Sequence, residues 1–93
     1  MVDACCYYGI YPEEIQRAQD IVNEIIDRYN LSVDIYEEID TAFYECGSLE
    51  DITNSLMWAM FSTVKSELDN MGIENDYYIN GYDTHFYING EEI

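Results

Sequence analysis

The thiols of Cys5, Cys6 and Cys46 and the imidazole of His85 are the side chains that could supply a Cys–His nucleophile or a zinc site. A Cys–His nucleophile needs the base within hydrogen-bond reach of the thiol. A structural or catalytic zinc site needs three or four convergent ligands, usually with a spaced Cys pair or a second His. Cys5 and Cys6 are neighbours, and on a strand they point to opposite faces. His85 stands between Thr84 and Phe86 and reads as an ordinary strand histidine. Residues 76–81 faintly resemble a calcium loop, but Tyr78 and Tyr87 occupy the third and twelfth positions, where carboxylates belong. The adjacent pairs Glu13/Glu14, Glu37/Glu38 and Glu91/Glu92 point in different directions and suit solvated faces better than acid–base work. There is no Gly-rich phosphate loop. The expectation is a protein with no catalytic residue, no cofactor and no metal, and so not an enzyme.

The charge carries more information. Twenty acids face three basic residues, Arg17, Arg28 and Lys65, for a formal net charge of −17. Self-repulsion on that scale destabilises a compact state, and a net charge of about 2–8 already keeps a small domain soluble. Sequences rich in Ile, Asn and Tyr usually carry many lysines; this one carries Lys65 alone. Positive charge is being avoided. Direct nucleic-acid binding is excluded, because it requires a basic footprint, and anionic lipid would repel the same surface.

The elements that position these acids follow from periodicity. Nearly half of the 93 residues are hydrophobic, so the chain folds as a single domain spanning 1–93 despite its charge. Residues 1–11 are apolar and suit a short strand or an aromatic arm. Pro12 suits the first position of a helix, with Glu13 and Glu14 at the positive end of its dipole. Ile15, Ala18, Val22, Ile25 and Tyr29 recur at helical spacing, and Asn30 is a stop. Ser32 can cap a second helix striped by Ile35, Ile39, Ala42 or Phe43, and Cys46, with Gly47 ending it. A strand over 32–36 competes with that reading. Ser48 opens a third helix striped by Leu49, Ile52, Leu56, Ala59 or Met60, Val64, Leu68 and Met71, closed by Gly72. Residues 52–64 carry no charge, and Met57, Trp58, Met60 and Phe61 lie on several faces, so this helix is expected at the centre, covered by the others. From Asp76 the period becomes strand-like, with Asn80-Gly81 and Asn89-Gly90 as turns. A turn over 81–84 is the alternative for the first. The fold class is α+β: three helices and a C-terminal β-hairpin, with a possible third strand from the N-terminus.

On these elements the acids form rows. Glu13, Asp20, Glu24 and Asp27 make an outward stripe on the first helix; Asp34, Glu38 and Glu45, with Glu37 beside them, make one on the second. At about 1.5 Å rise per residue, carboxylates recur roughly every 5–10 Å. DNA presents a charge every ~1.7 Å of axis, so the protein is sparser, yet its rows can engage arginine and lysine rows built for phosphates. Tyr77, Tyr78, Tyr82 and Tyr87 alternate on the hairpin, and one set can cover the helices while the other offers contact area. Asp76, Asp83, Glu91 and Glu92 form a rival acidic surface there.

In size, charge, tyrosine content and acidic stripes the chain resembles the small phage-encoded DNA-mimic inhibitors of anti-CRISPR and anti-restriction type. The resemblance implies an inhibitor that occupies the basic groove of a CRISPR effector or restriction enzyme, where carboxylates meet the arginines that read or position nucleic acid. The expected partner-binding residues are Asp20, Glu24, Asp27, Asp34, Glu37, Glu38, Glu45, Tyr78 and Asp83. An immunity protein or antitoxin that neutralises a basic nuclease toxin, and a self-associating acidic structural protein, are the alternatives. The unpaired thiols, the absence of a basic start before an apolar run at Met1 to Ala4, and the short uncharged stretch place it in the cytoplasm, the host's if a phage encodes it.

Overall fold

The computed structural model describes residues 9, 13–31, 40, 49–80 and 83–93. Two helices, α1 (Glu13–Tyr29) and α2 (Leu49–Asn70), precede three strands, β1 (Asn75–Tyr78), β2 (His85–Ile88) and β3 (Glu91–Glu92). The strands form an antiparallel sheet in the order β1-β2-β3. The α+β class holds. Of the three expected helices, the described residues contain the first and third. The expected second helix, with the competing strand at its start, lies outside the described residues except for Asp40, whose backbone is helical.

α1 forms where the apolar stripe repeats. Ile15, Ala18, Val22 and Ile25 are fully buried and Ile21 nearly so, while Tyr29 packs at the core's margin. Asn30, at φ 52°, takes the left-handed position that ends the helix. The Leu31 amide then bonds the Ile26 carbonyl at 3.0 Å, and both apolar side chains rest against the core. That is a Schellman closure. α2 closes in the same way and more completely. Gly72, at φ 74°, lets its amide bond the Asp69 carbonyl and the Ile73 amide bond the Leu68 carbonyl, both at 3.0 Å.

The core forms where α1 meets α2, with β2 against α2. Leu56, Met57, Met60, Phe61, Val64 and Leu68 are fully buried, as is Phe86. Phe61 meets Phe86 edge-on at 5.3 Å, and Tyr77 stacks on Phe86 at 5.8 Å. At the alternative in the α2 stripe, Met60 is buried and Ala59 only partly so; Met71, expected in the stripe, is 51% exposed. The expectation that α2 is covered all round is also corrected. Trp58 is 49% exposed, and Asn54, Ser62 and Ser66 share its outer face at four-residue spacing. Amide and hydroxyl side chains supply a wet face without charge, so a charge-free stretch did not imply burial.

The hairpin differs from expectation in two ways. Asn89 (φ 53°) and Gly90 (φ 82°) form a two-residue turn with both residues left-handed, and Ile88 pairs directly with Glu91 across it. The third strand therefore follows β2 in sequence; the N-terminal segment lies outside the described residues. The first reversal is wider. Tyr78 pairs with His85, and the Asp83 amide bonds the Asn80 carbonyl at 3.0 Å. The chain thus reverses across residues 80–83, and neither Asn80-Gly81 as a two-residue turn nor a turn over 81–84 has the right centre.

Candidate partner-binding faces

Strand alternation divides the hairpin into an inner and an outer face. Tyr77, Phe86 and Ile88 turn toward α2, with Trp58 edge-on to Tyr77 at 5.4 Å. The Tyr77 hydroxyl and Ser62 Oγ lie 3.0 Å apart, in hydrogen-bond contact. Glu74, Asp76, Tyr78, His85, Tyr87 and Glu92 share the outer side, with Asp76 opposite Tyr87 and Glu92 on the far flank of Tyr87. Of the expected binding residues, Tyr78 is 51% exposed here and Asp83 is exposed beside it.

His85 is the feature that sequence reasoning missed. Its two ring nitrogens face separate carboxylates, Nε2 toward Asp83 and Nδ1 toward Glu92. A carboxylate only accepts, so both nitrogens must donate and the ring is held as imidazolium. The hydrogen bond to Asp83, then that to Glu92, raises its pKa above the usual 6.5. While protonated, the ring has no lone pair free for a metal. What it does is tie the β1–β2 connection to β3. The signal was present in the sequence: a two-residue turn at Asn89-Gly90 puts Glu92 opposite Tyr87, hence diagonal to His85.

The second face is α1. Asp20, Glu24 and Asp27 are exposed as expected. Glu24 accepts a 2.8 Å bond from Arg28, worth about 0.3–0.5 kcal/mol at an exposed i,i+4 site. Asp20 and Asp27 have no ion-pair partner among the described residues. Asp34, Glu37, Glu38 and Glu45, together with Cys5, Cys6 and Cys46, lie outside the described residues.

The three cations are all committed within the fold. Arg17 donates from Nε and Nη2 to the Thr84 carbonyl at 3.2 and 3.0 Å, fastening α1 to the β1–β2 connection. Lys65 donates to the Asn75 carbonyl at 3.1 Å and sits 3.7 Å from Asp69. Hydrogen bonds from a charged group contribute on the order of 1.5–3 kcal/mol, several times a surface ion pair. Arg17 and Lys65 are thus fastenings of the fold.

Among the described residues, hollows open on this acidic surface at two places. One is lined by Glu13, Glu14, Arg17, Asp20 and Ile21 at the start of α1. The other is lined by Glu74, Asn75, Asp76, Tyr87 and Gly90 at the turn end of the sheet. Among the described residues no group of three or more His, Cys, Asp or Glu is arranged to hold a metal ion, and no helix is long and apolar enough to cross a membrane. No family model matches the chain, and no curated protein or solved structure matches it either.

Proposed function

We propose that this protein is a non-catalytic, cytoplasmic inhibitor that occupies the basic nucleic-acid-binding surface of another protein, a defence nuclease of CRISPR or restriction type, and so blocks DNA binding. The observation that carries the reading is the asymmetry of the charges. Arg17, Arg28 and Lys65 are each engaged by an internal acceptor, while the exposed carboxylates Asp20 and Asp27 have no ion-pair partner among the described residues. Cations are retained where the fold uses them, and carboxylates are displayed to solvent. Such a surface is repelled by nucleic acid and attracted to the proteins that hold it.

The test is competition. Partners captured from cells on the immobilised protein are challenged with duplex DNA. The reading requires a partner that releases this protein as DNA binds, with an association rate that falls steeply as salt rises. A partner that holds DNA and this protein together would refute it.

A further inference from the structure

Resting on that proposal, we infer that the hollow at the turn end of the sheet's outer face receives an arginine side chain of the partner, with Tyr87 as the stacking surface and Glu74 and Asp76 as acceptors. The carboxylates of this face are not equivalent. Asp83 and Glu92 are taken up by the His85 imidazolium. Glu74 and Asp76 are exposed and form no ion pair among the described residues, Lys65 being bonded to the Asn75 carbonyl between them and paired with Asp69; Asp76 accepts the Tyr77 amide at 2.9 Å. These two line the hollow together with Tyr87 and Gly90.

The hollow is also a formed one. Asp76 lies directly across the ladder from Tyr87, so ring and carboxylate sit side by side on adjacent strands. The Asn89 amide bonds the Glu74 carbonyl at 2.9 Å, fixing the turn against β1. Asn75, opposite Ile88 in the ladder, turns its side chain to the inner face, so its buried oxygen is not among the hollow's acceptors. Its amide nitrogen is already committed to Asp69 and the Ile73 carbonyl, at 2.8 and 3.0 Å. Two carboxylates without an ion pair beside an aromatic ring call for a flat cation with donors along its edge. A guanidinium has that form: it stacks through its face and donates through five N–H groups in one plane. An ammonium is a compact, strongly hydrated charge and uses the ring less well.

The experiment uses the full-length protein labelled with 15N, titrated with an end-blocked peptide carrying arginines spaced by glycines, and with a lysine counterpart of equal charge. The arginine peptide should bind about two- to fivefold more tightly, the contribution of a cation–π contact at an exposed site. Its amide shifts should concentrate at residues 74–76 and 87–90. Tyr87→Leu should abolish the preference and Tyr87→Phe should keep it. Glu74→Gln with Asp76→Asn should weaken binding more than Asp20→Asn with Asp27→Asn, which removes the same charge elsewhere. Equal affinity for both peptides, or shifts centred on α1, would overturn the arginine site and leave the proposed function standing. If neither peptide perturbs any amide at low salt, both fall.

Discussion

His85 shows how a single side chain can control local structure. Its imidazolium joins Asp83, in the β1–β2 connection, to Glu92 on β3, and the two hydrogen bonds raise its pKa above 6.5. Besides Glu92, the charged and titratable groups on the strands around it are Asp76, Tyr77, Tyr78, Tyr87 and Glu91. A pKa higher in the folded state than in the unfolded one means that the folded state binds the proton more tightly. The stabilisation is therefore complete below pH 6.5 and is lost as pH rises through the raised value. The difference in stability between the native chain and His85→Gln should shrink as pH climbs from 6 to 8.5. Urea melts across that range measure it, and taking the difference cancels titrations common to both proteins. A difference that does not change with pH would show that the ring is not bound as imidazolium. This contact was legible only in retrospect. It needs the Asn89-Gly90 turn, which sequence identifies, and the diagonal pairing that follows from it, which single residues do not reveal.

Among the elements, the helices were readable because their signals are local. Ile15, Ala18, Val22 and Ile25 mark the buried face of α1, and Asn30 and Gly72 mark the ends, each in the left-handed conformation. The first reversal of the hairpin was not readable, for a definite reason. A two-residue turn at Asn80-Gly81, a turn over 81–84 and the observed pairing of Tyr77 with Phe86 differ by register shifts of two residues. Such a shift leaves every side chain on its own face, so the hydrophobic alternation is the same in all three. The choice is made by packing, where Tyr77 stacks on Phe86 and meets Phe61 at 5.5 Å. The face of α2 around Trp58 was misread because Asn54, Ser62 and Ser66 are polar but uncharged. The caps give a quantitative test. A Cβ at Gly72 would touch nothing within 4 Å, so Gly72→Ala should cost only the left-handed backbone penalty, roughly 1–2 kcal/mol. That lowers Tm by several degrees in a domain of this size. Asn30→Gly should shift Tm the other way by a smaller amount, because Gly carries no steric penalty at φ 52°. Equal effects of the two changes, in either direction, would mean the helix ends do not limit stability.

For the whole molecule, the charge that favours a basic partner also strains the fold, and the two effects respond oppositely to salt. At −17 the repulsion between carboxylates is summed over the surface, and the screening length falls from about 10 Å at 0.1 M salt to ~3 Å at 1 M. Raising salt should therefore raise Tm while weakening partner binding, with the loss concentrated in the association rate. Charge reversal separates the faces. Asp20→Lys with Glu24→Lys and Asp27→Lys removes one exposed ion pair, that of Glu24 with Arg28, at a cost of about 0.3–0.5 kcal/mol. Each reversal also shifts the net charge by two units and relieves repulsion, so Tm should hold or rise. The same holds for Asp76→Lys with Glu74→Lys on the sheet, which leaves the His85 contacts with Asp83 and Glu92 in place. Partner binding should fall in both variants, because a lysine facing an arginine adds repulsion to the attraction it removes. The sheet variant should lose more per charge, since there the reversed groups flank a stacking ring. A partner indifferent to both variants, with Tm raised in each, would mean that the acids burden the fold without serving the interface.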